Sequence, residues 1–152
     1  MTVLDAYAVI AYLRAEPAAR EVRPLLTAGS ARLTAVGVAE VLDHLVRLAG
    51  AEEESAALDL AQLDLLDGIV VDADLGLGAG RLRARRYHRR RCAVSMADCI
   101  AAEAARRSGA GLATSDPHLL DLCHAEGIPT TVLTASDGTR RPPTDRSAPP
   151  AP

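Results

Sequence analysis

The sequence has no lysine, phenylalanine or tryptophan, and only three tyrosines. Without lysine, all lysine-dependent chemistry is excluded, and any phosphate contact rests on arginine, whose planar fork matches phosphate oxygens. With so few aromatic rings, the core must be built from Ala, Leu, Val and Ile, which suits a small, tightly layered α/β protein. Cysteine is also scarce: Cys92, Cys99 and Cys123 form no CxxC pair, and their odd number argues against a disulfide framework and for a reducing, cytoplasmic setting. No long apolar run is present. Asp5 interrupts the apolar N-terminal stretch, which also lacks a basic leader, so neither a signal peptide nor a membrane span is expected. The four histidines, His44, His88, His118 and His124, lack zinc-site spacing, and the glycines of "GLGAG" lack the GxGxxG pattern of a nucleotide loop.

The 152 residues suffice for one domain with a sizeable core. The formal net charge of −3 gives no global sign of nucleic-acid binding. Charge is unevenly placed, however: the stretch from Glu52 to Asp74 is acidic and that from Arg81 to Arg91 strongly basic.

The pattern predicts alternating elements. "TVLD" reads as a short strand that runs into a helix ending before Pro17. A second helix, "AAREVRPLLTAG", leads to a brief strand at "ARLTAV" and a long apolar-faced helix up to Gly50. "EEESAALDLAQLDLLDG" predicts a further helix with acids in its first turn, and "IVVDAD" a short buried strand. A helix from Met96, the strand "GLAT", a helix from Pro117 to Glu126 and a last strand "TTVL" complete the series. Strands alternating with helices predict a three-layer α/β/α fold around a mostly parallel sheet. The domain is expected to span residues 1–136, and the Pro/Arg-rich stretch 137–152 has too little to bury and is expected to be a disordered tail.

In open parallel sheets, ligands gather beyond the carboxyl ends of the strands, where loops and helix N-termini converge. Asp5, Glu40, Asp98 and Asp116 all fall at or near that edge. Each has a structural alternative: Ser95-Met96-Ala97-Asp98 fits a capping box, Asp116-Pro117 fits an N-cap followed by proline, Asp5 suits a helix start, and Glu40 suits a surface. Four carboxylates in one pocket would repel one another, and a divalent cation relieves that conflict. Mg²⁺ and Mn²⁺ take oxygen ligands, and such an ion polarises phosphoryl oxygens and generates hydroxide. That chemistry is phosphodiester hydrolysis.

Four segments carry a family resemblance. "VLDAYAVIAYL", "LTAVGVAEVLDHL", "VSMADCIAAEAA" and "GLATSDPHLL" resemble, in order and over residues 2 to about 134, the motifs of the PIN-domain ribonucleases, specifically the VapC-type toxins of bacterial toxin–antitoxin pairs. The resemblance implies a PIN-like (Rossmann-like) fold, a Mg²⁺- or Mn²⁺-dependent endoribonuclease acting on RNA, a cognate antitoxin partner and a homodimer. Carried over by position, Asp5, Glu40, Asp98 and Asp116 form the acidic quartet. Asp5 and Asp98 are expected to ligate metal, Asp116 to act directly or through a water, and Glu40 to ligate, orient water or assist proton transfer. Ser95 and Thr114 stand where their hydroxyls would support these acids.

The arginine run Arg81, Arg83, Arg85, Arg86, Arg89, Arg90 and Arg91 has three readings: a solvated surface, a track for RNA phosphates, or a contact for an acidic antitoxin tail. As RNA contacts, Arg85, Arg86, Arg89, Arg90 and Arg91 are the candidates. Two competing functions remain: a signalling receiver, which the absence of lysine counts against, and a catalytically silent PIN-like module that binds RNA or protein.

Overall fold

The computed structural model describes residues 1–142. Four short strands form one all-parallel sheet in the order β2-β1-β3-β4, with β1 at Thr2–Leu4, β2 at Ala31–Arg32, β3 at Gly111–Thr114 and β4 at Thr130–Val132. Among the described residues seven α-helices accompany them: α1 (Ala6–Leu13), α2 (Ala19–Thr27), α3 (Ala35–Asp43), α4 (Glu53–Gln62), α5 (Ala73–Arg86), α6 (Met96–Ser108) and α7 (Pro117–Ala125). A π-helical turn, His44–Leu48, prolongs α3.

Side chains alternate across a strand, so each strand feeds two cores. Val3 and Leu112 face one cluster with Leu82 of α5, Ile100 of α6 and Leu119 of α7. Their neighbours Leu4 and Ala113 face the other, with Val9 of α1, Val22 of α2, Val41 of α3 and Leu60 of α4. The three-layer α/β/α arrangement predicted by the alternation is the one observed. Aliphatic and alanine side chains fill both cores, as the missing aromatics require.

Three regions depart from the sequence reading. The strand expected at "IVVDAD" reduces to one parallel bridge between Thr34 and Ile69. Val70 is 76% exposed, and Asp72 ends the run by capping the next helix, accepting the Leu75 amide at 2.7 Å. That helix, α5, was not foreseen, because Gly76, Gly78 and Gly80 lower its propensity. Tertiary packing overrides the deficit: Leu75, Ala79 and Leu82 recur at helical spacing and are buried. Gly78 is required there, since a Cβ would lie 2.4 Å from Glu103 Oε1 of α6.

The third departure concerns the expected tail. Residues 143–152 lie outside the described residues. Residues 137–142 keep contact with the domain: Arg141 donates to Asp121 Oδ1 and to the Pro117 carbonyl, each at 2.7 Å, and Arg140 donates to the Val132 carbonyl at 3.0 Å. Hydrogen-bonded contact with the domain therefore continues beyond the boundary drawn at residue 136. Among the described residues, no helix is long and apolar enough to cross a membrane.

Candidate functional site

β1 and β3 are neighbours in the sheet, so their carboxyl ends open at the same place. Asp5 leaves β1 and caps α1, its Oδ1 accepting the Ala8 amide at 2.9 Å. Thr114, the last residue of β3 and fully buried, donates its hydroxyl to Asp5 Oδ2. The same hydroxyl accepts the Asp116 amide at 3.0 Å. Asp116 then caps α7, with Oδ1 accepting the amides of His118 at 2.6 Å and Leu119 at 2.9 Å. One threonine thus joins the Asp5 carboxylate to the backbone of Asp116 on adjacent strand exits.

Asp98 arrives differently, because the element directly before α6 is the helix α5 and not a strand of the sheet. It closes a capping box: Asp98 Oδ2 accepts the Ser95 amide at 2.7 Å, while Ser95 Oγ accepts the Asp98 amide at 3.0 Å. Glu40 lies on α3, whose start is capped by buried Thr34 accepting the Gly37 amide at 3.0 Å.

All four acids line a single cleft of about 160 Å³. Thr34, Gly37 and Tyr7 line it as well, and no cationic side chain among the described residues does. Asp5, Asp98 and Asp116 are therefore helix caps and cleft residues at once. The two readings do not compete, since helix N-termini converge at this edge of a parallel sheet. Ser95 and Thr114 support the acids through the bonds above. Thr34 and Tyr7 were not singled out from sequence; for Thr34 the available signal was a capping residue three before Gly37, and for Tyr7 its place in the first helical turn after Asp5.

The electrostatics of the cleft follow from this arrangement. Burial pushes the Asp5 carboxyl up to about 7, against the lowering effect of the Thr114 and Ala8 hydrogen bonds and with help from the charges of Asp98 and Asp116. Partial desolvation, and secondarily Asp98, hold Glu40 above the ordinary carboxylate value. Among the described residues, Asp98 Oδ1, Asp116 Oδ2 and both Glu40 oxygens accept no hydrogen bond within the protein.

No three His, Cys, Asp or Glu side chains among the described residues stand in ready-made ligating geometry. The donor set nevertheless fits a hard divalent ion that keeps several of its own waters: it is all oxygen, anionic and without an internal counter-charge. The cleft volume of about 160 Å³ is well above what a single water needs, so an ion can enter with waters of its own.

The arginines divide into two groups. Arg85 and Arg86 turn to Glu126 at the end of α7, at 3.6 and 2.6 Å. Arg89, Arg90 and Arg91 are exposed and, among the described residues, form no ion pair. They sit on a turn closed by the backbone pairing of His88 with Cys92, inside which His88 Nδ1 accepts the amides of Arg90 and Arg91, each at 3.2 Å. Arg83 anchors the far side of this turn, donating to the Val94 carbonyl at 3.2 Å, next to Ser95.

A sheet of this order, bearing acids at its carboxyl edge, agrees with the family model for the PIN domain, which matches residues 2–125. The chain belongs to the PIN domain family. PIN domains are typically nucleases. Among solved structures, the PIN fold here is similar to FitAcB from Neisseria gonorrhoeae, with a TM-score of 0.63 and 18% identity, covering 86% of this chain and 96% of that one. It is also similar to PAE2754 from Pyrobaculum aerophilum, with a TM-score of 0.59 and 19% identity, covering 85% of this chain and 87% of that one. A comparison with curated proteins found no match.

Proposed function

We propose that this PIN domain is a Mg²⁺- or Mn²⁺-dependent endoribonuclease, and that it serves as the toxin of a VapBC-type toxin–antitoxin pair. One observation carries the nuclease reading: Asp5, Glu40, Asp98 and Asp116, from four separate stretches of chain, meet in one cleft that no cationic side chain among the described residues lines. The toxin role rests on the resemblance of the four motifs to VapC-type sequences, and the structural neighbours support only the fold beneath it.

Asp5, Asp98 and Asp116 would hold the ion. When bound, it supplies Lewis acidity toward a phosphoryl oxygen and a readily ionised water. Thr114 sets the direction of the Asp5 carboxylate and holds the Asp116 backbone beside it, and the Ser95 amide fixes one oxygen of Asp98 and leaves the other without a hydrogen bond among the described residues. Glu40, with its raised pKa, is suited to take the proton of the attacking water and pass it to solvent. Arg89, Arg90 and Arg91 contact RNA phosphates. Arg85 and Arg86 contribute less, because Glu126 already offsets their charge.

The proposed partners are RNA, an antitoxin and a second copy of the chain. Exposed Leu48, Leu58 and Leu66 supply apolar surface for a protein partner. The free thiols of all three cysteines are in keeping with a reducing cytoplasm.

Cleavage of labelled total RNA in Mg²⁺ or Mn²⁺ tests the reading, with chelator and Asp98→Asn as controls. Expected are metal-dependent fragments and a fall of at least about 100-fold in rate for Asp98→Asn, the scale of losing one key electrostatic group. Metal binding without any cleavage would favour the silent binding module instead.

A further inference from the structure

The cleft, about 160 Å³ and open to one side, matches a hydrated ion and a phosphate oxygen in scale, and a base flanking a phosphate held there meets the residues at its rim. Among its lining residues the rim offers one aromatic ring, Tyr7, on the first turn of α1 two residues beyond Asp5. Its hydroxyl donates to the Thr134 carbonyl just past β4 at 3.0 Å, a bond between residues 127 positions apart. The ring packs in part against the core cluster of Leu4 and Val9 and is half-buried, leaving the rest of its surface accessible. Side-chain packing and a tethered hydroxyl hold the ring in place before substrate arrives, so little conformational entropy is lost on stacking.

We propose that Tyr7 is the nucleobase platform of this PIN domain: a base flanking the scissile phosphate stacks on its ring and sets that phosphate over the acids. The proposal rests on the nuclease reading above and deepens it. The chemistry favours single-stranded RNA, since only an unpaired base exposes a face to stack, and aromatic stacking tolerates any base. It also gives the cleft an aromatic hold on a substrate that every acid in it repels.

The test is a two-way cycle on a short oligoribonucleotide that the wild type cleaves. Tyr7→Leu is paired with an abasic residue at each position next to the cut. Expected is a rise of about tenfold in KM for Tyr7→Leu with kcat little changed, the scale of one lost base–aromatic stack. Tyr7→Phe, which keeps the ring but loses the tether to Thr134, should recover most of the wild-type KM. One abasic position should weaken the wild type by the same factor yet have no further effect in Tyr7→Leu, because the contact is already gone. Independent effects of the two changes, or an unaltered KM in Tyr7→Leu, would overturn the platform. Should Tyr7→Leu fold poorly, Tyr7→Trp introduces the only tryptophan of the chain, whose emission must be quenched on RNA binding; unchanged emission at saturation sinks the proposal. Asp98-dependent cleavage with an indifferent Tyr7 removes the platform alone, whereas absence of any RNA cleavage or binding removes the nuclease reading and the platform with it.

Discussion

Asp5 and Glu103 are the two buried acids among the described residues, and the protein treats them in opposite ways. Glu103 lies on α6, five residues beyond Asp98, and Arg106 binds both of its oxygens at 2.7 and 2.8 Å. Asp5 receives one hydroxyl and one amide but no cation, and its carboxyl is pushed up to about 7. A buried carboxylate that only holds the fold together is supplied with its counter-charge by the chain itself. One left without a counter-charge, beside two more acids, is a place where an external cation gains the most.

The largest effect that would sharpen this contrast is on pH. The native state holds the Asp5 proton more tightly than the unfolded chain, so the stability linked to it is full below about pH 4 and is lost as pH rises toward 7. In chelator, wild type should therefore lose up to about 4 kcal/mol relative to Asp5→Asn across that window, at about 1.36 kcal/mol per unit. Parallel urea titrations from pH 4 to 8 measure it, and a flat difference would make Asp5 an ordinary cap.

Next in size is the response to metal. Mg²⁺ at about 100 times its Kd should stabilise the wild type by about 2.7 kcal/mol. Asp98→Asn should abolish that shift in thermal melts, and Glu103→Gln should retain it. Equal loss in both variants would break the distinction between the two acids.

The smallest expected effect tests the Glu103 side. Gly78→Ala drives a Cβ to 2.4 Å from Glu103 Oε1, whereas Gly80→Ala meets nothing within 4 Å. Overpacking costs about 1–3 kcal/mol, and alanine returns about 1 kcal/mol of helix propensity. Gly78→Ala should accordingly lose about 1 kcal/mol and Gly80→Ala gain up to about 1 kcal/mol in denaturant unfolding. Similar values for the two would mean that the Glu103–Arg106 pair moves aside freely.

Local signals were legible where they rest on neighbours in sequence. The capping box at Ser95–Asp98, the Asp116-Pro117 start of α7 and the strand-to-helix step at Asp5 all stand as read. The reading failed where packing from elsewhere decides. α5 forms despite its glycines because Gly78 allows Glu103 of α6 to approach, and "IVVDAD" makes only one bridge because a single residue meets the chain beyond β2. The arginine run read as one feature, yet Glu126, far along the chain, engages Arg85 and Arg86 and leaves Arg89 to Arg91 exposed.

By itself, then, the sequence determined the alternation of strand and helix, the aliphatic make-up of the core and the placing of acids at helix starts, since periodicity and capping are local properties of the chain. Only the tertiary structure decided that four such acids share one cleft without a cation among the described residues, that Thr114 ties the Asp5 carboxylate to the Asp116 backbone, and that Tyr7 stands at the rim. Those facts depend on strand order, which puts β1 beside β3, and on desolvation, which exists only once the layers have closed.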